Sequence, residues 1–103
     1  MSEALAKAVI GTFEPVVGDK LEVIDSATGT AVTALTLTAV NPLPHGRQGQ
    51  REPFSLTFEG SDSVPLGQGT YVMRHPAIKD ELPIFIVPIS ERDHTRRYQA
   101  IFS

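Results

Sequence analysis

The chain lacks several residue types and segments on which common functions depend. Its 103 residues include no cysteine, which excludes disulfides, thiolate nucleophiles and cysteine zinc sites. No apolar run is long enough to cross a bilayer as a helix. The net charge of -3 gives no overall electrostatic reason to bind nucleic acid, because that binding depends on neutralising phosphates. These absences favour a small globular domain without a membrane or nucleic-acid partner.

The motifs of common enzyme sites are also missing. The sequence has no nucleophile elbow, no phosphate-binding loop, no dinucleotide fingerprint and no His-Glu-x-x-His. His45, His75 and His94 lie in three separate segments, and no spacing places two of them on one face. We therefore expect no metal site, no cofactor and no catalytic residue.

The beginning of the chain does not resemble a secretory signal. Glu3 precedes a short alanine-rich stretch, whereas a signal peptide starts with basic residues and continues with a longer apolar core. We therefore expect a cytoplasmic protein. A chain of this length supports one hydrophobic core, so we expect a single domain with a short helical entry, residues 1–18, and a β body, residues 19–103.

Short runs that alternate apolar and polar residues predict a β body. The clearest alternation places Phe54, Leu56 and Phe58 on one face, and Tyr98 shares a face with Ala100 and Phe102 near the end of the chain. Turn residues separate six predicted strands, which are residues 20–24, 31–40, 54–59, 69–75, 82–89 and 97–102. This spacing predicts an all-β fold, a small antiparallel barrel or sandwich of about six strands.

Two of these strands carry more specific expectations. In the second strand, Leu35, Leu37 and Ala39 should share a face, and residues 41–44 should end the strand because prolines cannot donate to a ladder. Residues 82–89 are apolar at almost every position, which indicates burial on both faces. The prolines within that segment also allow an edge strand whose exposed side is covered.

Two short helical turns are predicted before the first strand. Ser2 is placed to cap a turn over residues 4–9, and Thr12 is placed to cap a second turn over residues 13–17 that stops at Gly18. Helices this short need tertiary packing to be stable. The predicted barrel or sandwich therefore has a short N-terminal helix against one end or edge.

A long connection, residues 41–53, is the first candidate contact region. Loops of this length are often functional, and Arg47 and Arg51 supply hydrogen-bond donors for another chain or an anionic ligand. The alternative is a flexible hairpin loop, in which Arg51 and Glu52 form only a structural ion pair. The region is a candidate because neither Arg51 nor Glu52 is needed to begin a strand.

A second charged loop, residues 90–96, leads into the last strand. Its neighbourhood contains Arg92, Arg96 and Arg97, which would join the arginines of the long connection in a basic rim if both loops shared one barrel end. Nearby carboxylates make a charge-balanced solvated face the alternative. Arg96 and Arg97 are therefore candidate contact residues.

Three functions remain open from the residues alone. The leading hypothesis is a non-catalytic interaction or assembly module that acts through edge-strand pairing or loop contacts. The second is a small-molecule-binding barrel with Tyr71, Arg74, His75 and Tyr98 near a pocket mouth. The third is a small hydrolase or isomerase that uses His75 with a carboxylate.

Several sequence blocks together carry a family resemblance. They are residues 13–18, 51–56, 69–71, 75–76, 85–88 and 97–102, including Arg-Glu-Pro-Phe-Ser and Gly-Thr-Tyr. The chain resembles a family of small uncharacterised bacterial all-β domains, loosely associated with phage-tail-collar-like proteins. The resemblance implies no enzyme activity and no catalytic residue. The resemblance implies a component of a phage-tail-like particle, whereas the lack of a chemical motif, the proline-guarded edge and the long loop favour a protein partner or self-association.

Overall fold

The computed structural model describes residues 10–25, 27–43 and 53–102. These residues form one short α-helix, one 3-10 turn and six strands. The elements are α1 (Ile10–Phe13), the 3-10 turn (Glu14–Val16), β1 (Lys20–Asp25), β2 (Thr30–Pro42), β3 (Phe54–Ser61), β4 (Gly69–His75), β5 (Ile78–Arg92) and β6 (Thr95–Phe102).

The six strands form a closed antiparallel barrel in the order β1-β2-β3-β6-β5-β4. Two three-stranded meanders, β1 to β3 and β4 to β6, are joined by the β3–β6 and β1–β4 ladders. The predicted all-β fold with about six strands and a short helix is confirmed, and a barrel replaces the sandwich alternative. Every strand has a neighbour on both sides, so the barrel has no edge strand.

The β1–β2 hairpin follows from its turn residues. The Asp25 side chain accepts a hydrogen bond from Ala27 N–H at 2.9 Å, and the Asp25 carbonyl accepts one from Gly29 N–H at 2.7 Å. Gly29 has a φ of 72°, a left-handed conformation that glycine adopts without a steric cost. This geometry returns the chain into β2 at Thr30.

A β-bulge divides β2 and reverses which residues face the core. The register shifts between Leu37, which is paired with Phe58, and Ala39, which is paired with Thr57. The extra residue places Val40 on the inner face and Ala39 on the outer face. The prediction that Ala39 shares a face with Leu37 is therefore wrong, whereas β2 ends at Pro42, within the proline-containing residues 41–44 that were predicted to end it.

The centre of the core comes from β3 and β6, where the sequence pattern is clearest. Phe54, Leu56 and Phe58 are fully buried, and Tyr98 and Ala100 lie beside them in the adjacent strand. The predicted inner faces of both strands are confirmed. Each pair of adjacent inner side chains is separated by an outward residue, as the two-residue period of a strand requires.

The fifth strand differs from its prediction in three respects. It begins at Ile78 and ends at Arg92, so it is longer than residues 82–89. It alternates, with Leu82, Ile84 and Ile86 buried and Phe85 exposed, so burial on both faces is wrong. It pairs with β4 and β6, so the edge-strand alternative is also wrong.

A tight two-residue turn connects β5 to β6. Asp93 and His94 have φ angles of 53° and 64°, the left-handed region that a two-residue hairpin turn with matching twist requires. The predicted charged loop over residues 90–96 is therefore wrong. Most of those residues belong to the strands, because β5 continues to Arg92 and β6 begins at Thr95.

The two ends of the barrel are filled by different segments. At one end Phe13 packs against Phe54 and Phe102, with ring centroids 5.8 and 5.5 Å apart. At the other end the β3–β4 connection places the buried side chain of Leu66 over the core. The barrel therefore has an aromatic end and an aliphatic end, each filled from outside the strands.

The helical entry is shorter than the sequence suggested. Thr12 lies inside α1, so its predicted role as the cap of a turn over residues 13–17 is wrong; Phe13 precedes the 3-10 turn. Gly18, with a φ of 93°, ends this region as predicted. The predicted turn over residues 4–9, with its Ser2 cap, lies outside the described residues.

Candidate functional site

Three of the predicted contact residues, Arg47, Arg51 and Glu52, lie outside the described residues. A backbone hydrogen bond joins the two ends of the connection to which they belong, next to β2 and β3. Leu43 N–H donates a hydrogen bond to the Pro53 carbonyl at 2.9 Å. The pairing of β2 with β3 therefore extends one step beyond Pro42, the last residue of β2, and Phe54, the first residue of β3.

Arg74 lies on the outer face of β4 and interacts with carboxylates of both neighbouring strands. Its Nε lies 3.0 Å from Oε1 of Glu22 in β1, and its Nη1 lies 3.8 Å from Oε2 of Glu81 in β5. Glu22 and Arg74 are direct cross-strand partners in the ladder that closes the barrel. These exposed ion pairs contribute at most about 1 kcal/mol each. The guanidinium of Arg74 thus interacts with side chains of the neighbouring strands on the outer surface of the barrel.

His75 uses both ring nitrogens in contacts within the chain. Ala77 N–H donates to Nδ1 at 2.9 Å, so Nδ1 is an acceptor. The Nε2 atom lies 3.0 Å from Oδ2 of Asp19, and in the neutral ring it carries the proton that the carboxylate accepts. This arrangement fixes the turn after β4 to the segment before β1. It leaves no free lone pair on the ring for the base that the hydrolase or isomerase hypothesis requires.

The arginines of the β5–β6 hairpin each lie near a carboxylate. Arg97 Nη2 lies 3.1 Å from Glu59 Oε2 on β3, and Arg96 Nη1 lies 3.9 Å from Glu91 Oε2. Arg92 is close to the carboxylate of the following residue, at 3.9 Å, and is almost fully exposed. The geometry of this hairpin is that of a charge-balanced face.

Arg96 differs from the other two arginines in its orientation. It follows the inward alternation of β6, and its partner across the β3 ladder is Gly60. A Cβ on Gly60 would lie 2.5 Å from Leu35 Cδ2, so glycine leaves the space that the Leu35 side chain occupies. Arg96 Nε is buried and has no hydrogen-bond partner, alone among the side-chain atoms of the described ranges. The Arg96 side chain is thus partly buried at the barrel end where β6 begins.

The four residues expected at a pocket mouth do not form one. Tyr98 is fully buried, and its hydroxyl accepts a hydrogen bond from Leu66 N–H at 3.0 Å. The Tyr71 hydroxyl donates to the Gly67 carbonyl at 2.9 Å. Both tyrosines therefore hold the β3–β4 connection at one barrel end. His75 and Arg74 lie at the opposite end of β4.

Large side chains fill the interior of the barrel. All six strands contribute inward residues that are at most 8% exposed, and these are Leu21, Val23, Leu35, Leu37, Phe54, Leu56, Phe58, Met73, Leu82, Ile84, Ile86, Tyr98, Ala100 and Phe102. An eight-stranded barrel is about the smallest that holds one small ligand, and six strands enclose a narrower space. This packing opposes the hypothesis of a small-molecule-binding barrel.

The outer face of β5 and β6 carries apolar side chains that no predicted site included. Phe85, Val87 and Ile89 on β5 and Ile101 on β6 are 48%, 37%, 48% and 56% exposed. We call these four residues the β5–β6 face. Val87 lies opposite Gln99 in the ladder, and Ile101 follows two residues after Gln99, so the four share one side of adjacent strands.

Uncharged residues border the middle of the β5–β6 face on both sides, whereas the exposed Arg97, opposite Ser90, lies at one end of it. Thr70 is opposite Phe85, and Ser55 is opposite Ile101. Residues 82–90 contain no charged side chain. The apolar run over residues 82–89 is the sequence signal for this face, although the run also predicts burial of its outward half.

Metal ligation and membrane insertion are two further possibilities for the part of the chain that the structure describes. No group of three histidine, aspartate or glutamate side chains there is arranged to hold a metal ion. No helix among these residues has the length and apolar character needed to cross a membrane.

Comparison with known proteins gives one family assignment. Residues 9–102 match the family described as Domain of unknown function (DUF6916). Neither the curated proteins nor the solved structures contain a match to this chain. The matched range covers the helical entry and all six strands. The chain therefore belongs to the DUF6916 family of domains of unknown function.

Proposed function

We propose that this domain is a non-catalytic interaction or assembly module that binds a protein partner through the β5–β6 face. The observation that carries the proposal is the exposure of Phe85, Val87, Ile89 and Ile101 on two neighbouring strands. Isolated apolar residues are normal on protein surfaces, whereas a contiguous patch with a polar border often marks an interaction site.

The distribution of the other exposed apolar residues supports this distinction. Val17 before β1, Val32 on β2 and Val64 in the β3–β4 connection are each exposed to a similar degree. Each lies in a different segment, and none is on β5 or β6. Full burial of an exposed Phe or Ile side chain contributes about 1.5–3 kcal/mol, and these four side chains are already about half buried, so covering them supplies roughly half of that amount for each.

The mode of contact differs from the one that the sequence suggested. Edge-strand pairing requires a strand with unpaired backbone groups, and each strand of the closed barrel already has two neighbours. The partner therefore packs side chains against the outer face of the sheet. Because residues 82–90 are uncharged, the matching surface of the partner is apolar and uncharged at its centre.

The cellular setting of the proposal comes from sequence resemblance. Blocks such as Arg-Glu-Pro-Phe-Ser resemble a family loosely associated with phage-tail-collar-like proteins. The proposed role is therefore a component of a phage-tail-like particle that assembles in the cytoplasm. A small closed barrel suits such a role because its interior needs no partner and its outer face remains available for contacts.

Site-specific photocrosslinking in the source cell tests this function. A photoreactive amino acid replaces Phe85 in one variant and Ile101 in a second, and Val32 in a matched control that is about equally exposed. We expect one discrete adduct from the first two positions and none from the control, with the partner identified by mass spectrometry. Equal labelling at all three positions, or no adduct at any, would overturn the proposal.

A further inference from the structure

The outer side of β5 has a charge at each end of its apolar centre, and the two charges are opposite. Glu81, whose carboxylate lies 3.8 Å from Arg74, precedes the centre, and Arg92, which lies 3.9 Å from the Asp93 carboxylate, follows it; both side chains are exposed and accessible to a second copy. The bulge after Pro88 shifts the register so that Ser90 pairs with the exposed Arg97, and Arg92 then lies on the same outer side. Along its outer side β5 is therefore acidic, then apolar, then basic.

This order is complementary to itself when two strands run in opposite directions. A two-fold axis near Val87, close to the midpoint of the two charges, brings Glu81 of one copy toward Arg92 of the other. The same operation makes the reciprocal contact, as every isologous interface does. Parallel packing would instead place like charges together, which is unfavourable.

We infer that the partner of the β5–β6 face is a second copy of this chain, packed with the two β5 strands antiparallel about a two-fold axis. The inference rests on the proposed function and names its partner. Phe85 of each copy then lies beside Ile89 of the other, and Val87 meets its own counterpart. Packing of two sheets face to face buries such side chains between them.

The area of the β5–β6 face limits the affinity of this dimer. Four roughly half-exposed side chains offer on the order of 300 Å² of apolar surface, whereas a standard interface buries about 800 Å² on each partner. The remainder must come from the polar border, which includes Thr70, Gln99 and Ser90. The dimer is therefore in a concentration-dependent equilibrium with the monomer, whose mass is 11.2 kDa.

Sedimentation velocity across a wide range of protein concentrations measures this equilibrium. We expect the weight-average mass of the full chain to rise toward twice that of the monomer. Val87→Asp should raise the dissociation constant by at least about tenfold, because two carboxylates then meet at the axis. Val32→Asp is the matched control, since Val32 is exposed outside the face, and should leave the constant unchanged.

A charge exchange tests the antiparallel register. Glu81→Lys and Arg92→Glu should each weaken the dimer several-fold, because each places like charges together. The double variant should restore the constant to within about twofold of the wild-type value. Circular dichroism checks that each variant retains the barrel. A double variant as weak as the single ones would overturn the antiparallel arrangement.

The outcomes separate this inference from the proposed function. A chain that stays monomeric at every concentration, or a dimer insensitive to Val87→Asp, overturns the inference. A crosslink from Phe85 to a different protein would then leave the proposed function standing. A monomeric chain that also gives no adduct at Phe85 would overturn both.

Discussion

We expect the hydroxyl of Tyr98 to raise the free energy of unfolding, because it accepts a hydrogen bond from a buried backbone N–H group. Tyr98 is fully buried, and its hydroxyl accepts the hydrogen bond of Leu66 N–H at 3.0 Å, where Leu66 is itself buried. Tyr98→Phe removes the acceptor and adds no replacement. The Leu66 N–H is then left without a partner in a place that water reaches poorly.

The size of the effect follows from that unsatisfied donor. A buried polar group left without its hydrogen bond costs about 1–3 kcal/mol. For a domain of this size each kcal/mol lowers the melting temperature by about 4–8 °C. We therefore expect the Tyr98→Phe melting temperature to fall by at least about 4 °C, and the urea midpoint to fall by roughly 1 M.

Tyr71→Phe is the matched control for this substitution. Its hydroxyl donates to the Gly67 carbonyl at 2.9 Å, one residue away in the same connection, but that hydrogen bond is exposed. Water replaces the lost donor there, so we expect a change within about 0.5 kcal/mol. Far-UV circular dichroism is the suitable probe, because the chain has no tryptophan and each variant removes one of its two tyrosines.

A result in which both variants lose the same stability would refute this reasoning. It would mean that water reaches Leu66 N–H as readily as it reaches the Gly67 carbonyl. Hydrogen exchange measures that access directly. We expect the Leu66 amide to be protected in the wild-type protein and to exchange faster in Tyr98→Phe than in Tyr71→Phe.

Three further variants test the packing and the turn. Gly60→Ala should cost about 1–3 kcal/mol in urea unfolding, because the new Cβ lies 2.5 Å from Leu35 Cδ2. Phe13→Ala should cost about 3–5 kcal/mol by the same measurement, because it empties the aromatic end of the barrel. Asp93→Asn combined with His94→Gly should raise the melting temperature, with a gain of about 0.5–2 kcal/mol, because both positions have positive φ and the exposed contact of His94 Nδ1 with Asp62 Oδ2, at 3.0 Å, contributes at most about 1 kcal/mol. A loss of stability in this last variant would show that the His94 side chain matters more than the turn.

The strands could be predicted where inward and outward residues differ in polarity. Phe54 and Leu56 alternate with Ser55 and Thr57, so the inner face of β3 was identifiable from the sequence. In β2 the same rule failed after Leu37, because a bulge adds a residue to one strand without a sequence signal of its own. The alternation thus gives the face only as long as the register is unbroken.

The fifth strand shows a different limit. Leu82 to Ile89 is apolar on both sides, and the alternation carries no information when both sides are alike. Burial of the outward side depends on whether another part of the fold covers it, which is a tertiary property. Phe85 and Val87 are exposed because neither β4 nor β6 crosses over β5; both lie beside it.

The predicted contact residues were chosen for their charge, and charge alone was a poor guide. A charged strand residue can form an ion pair with a residue distant in the sequence. Arg74 pairs in this way with Glu22, and Arg97 pairs with Glu59. These partners become neighbours only through the barrel closure. His75 was considered as a base, yet its ring links Asp19 to the turn at Ala77.

The apolar character of the β5–β6 face is not required by strand formation. Valine, isoleucine and phenylalanine favour strands, but threonine does so as well, and it is polar. The same barrel places Thr36, Thr57 and Thr70 at outward positions of β2, β3 and β4. Since threonine satisfies these three outward positions, strand propensity does not by itself account for Phe85 and Ile101. The proposed partner would cover both side chains, and this is why it is placed on β5 and β6.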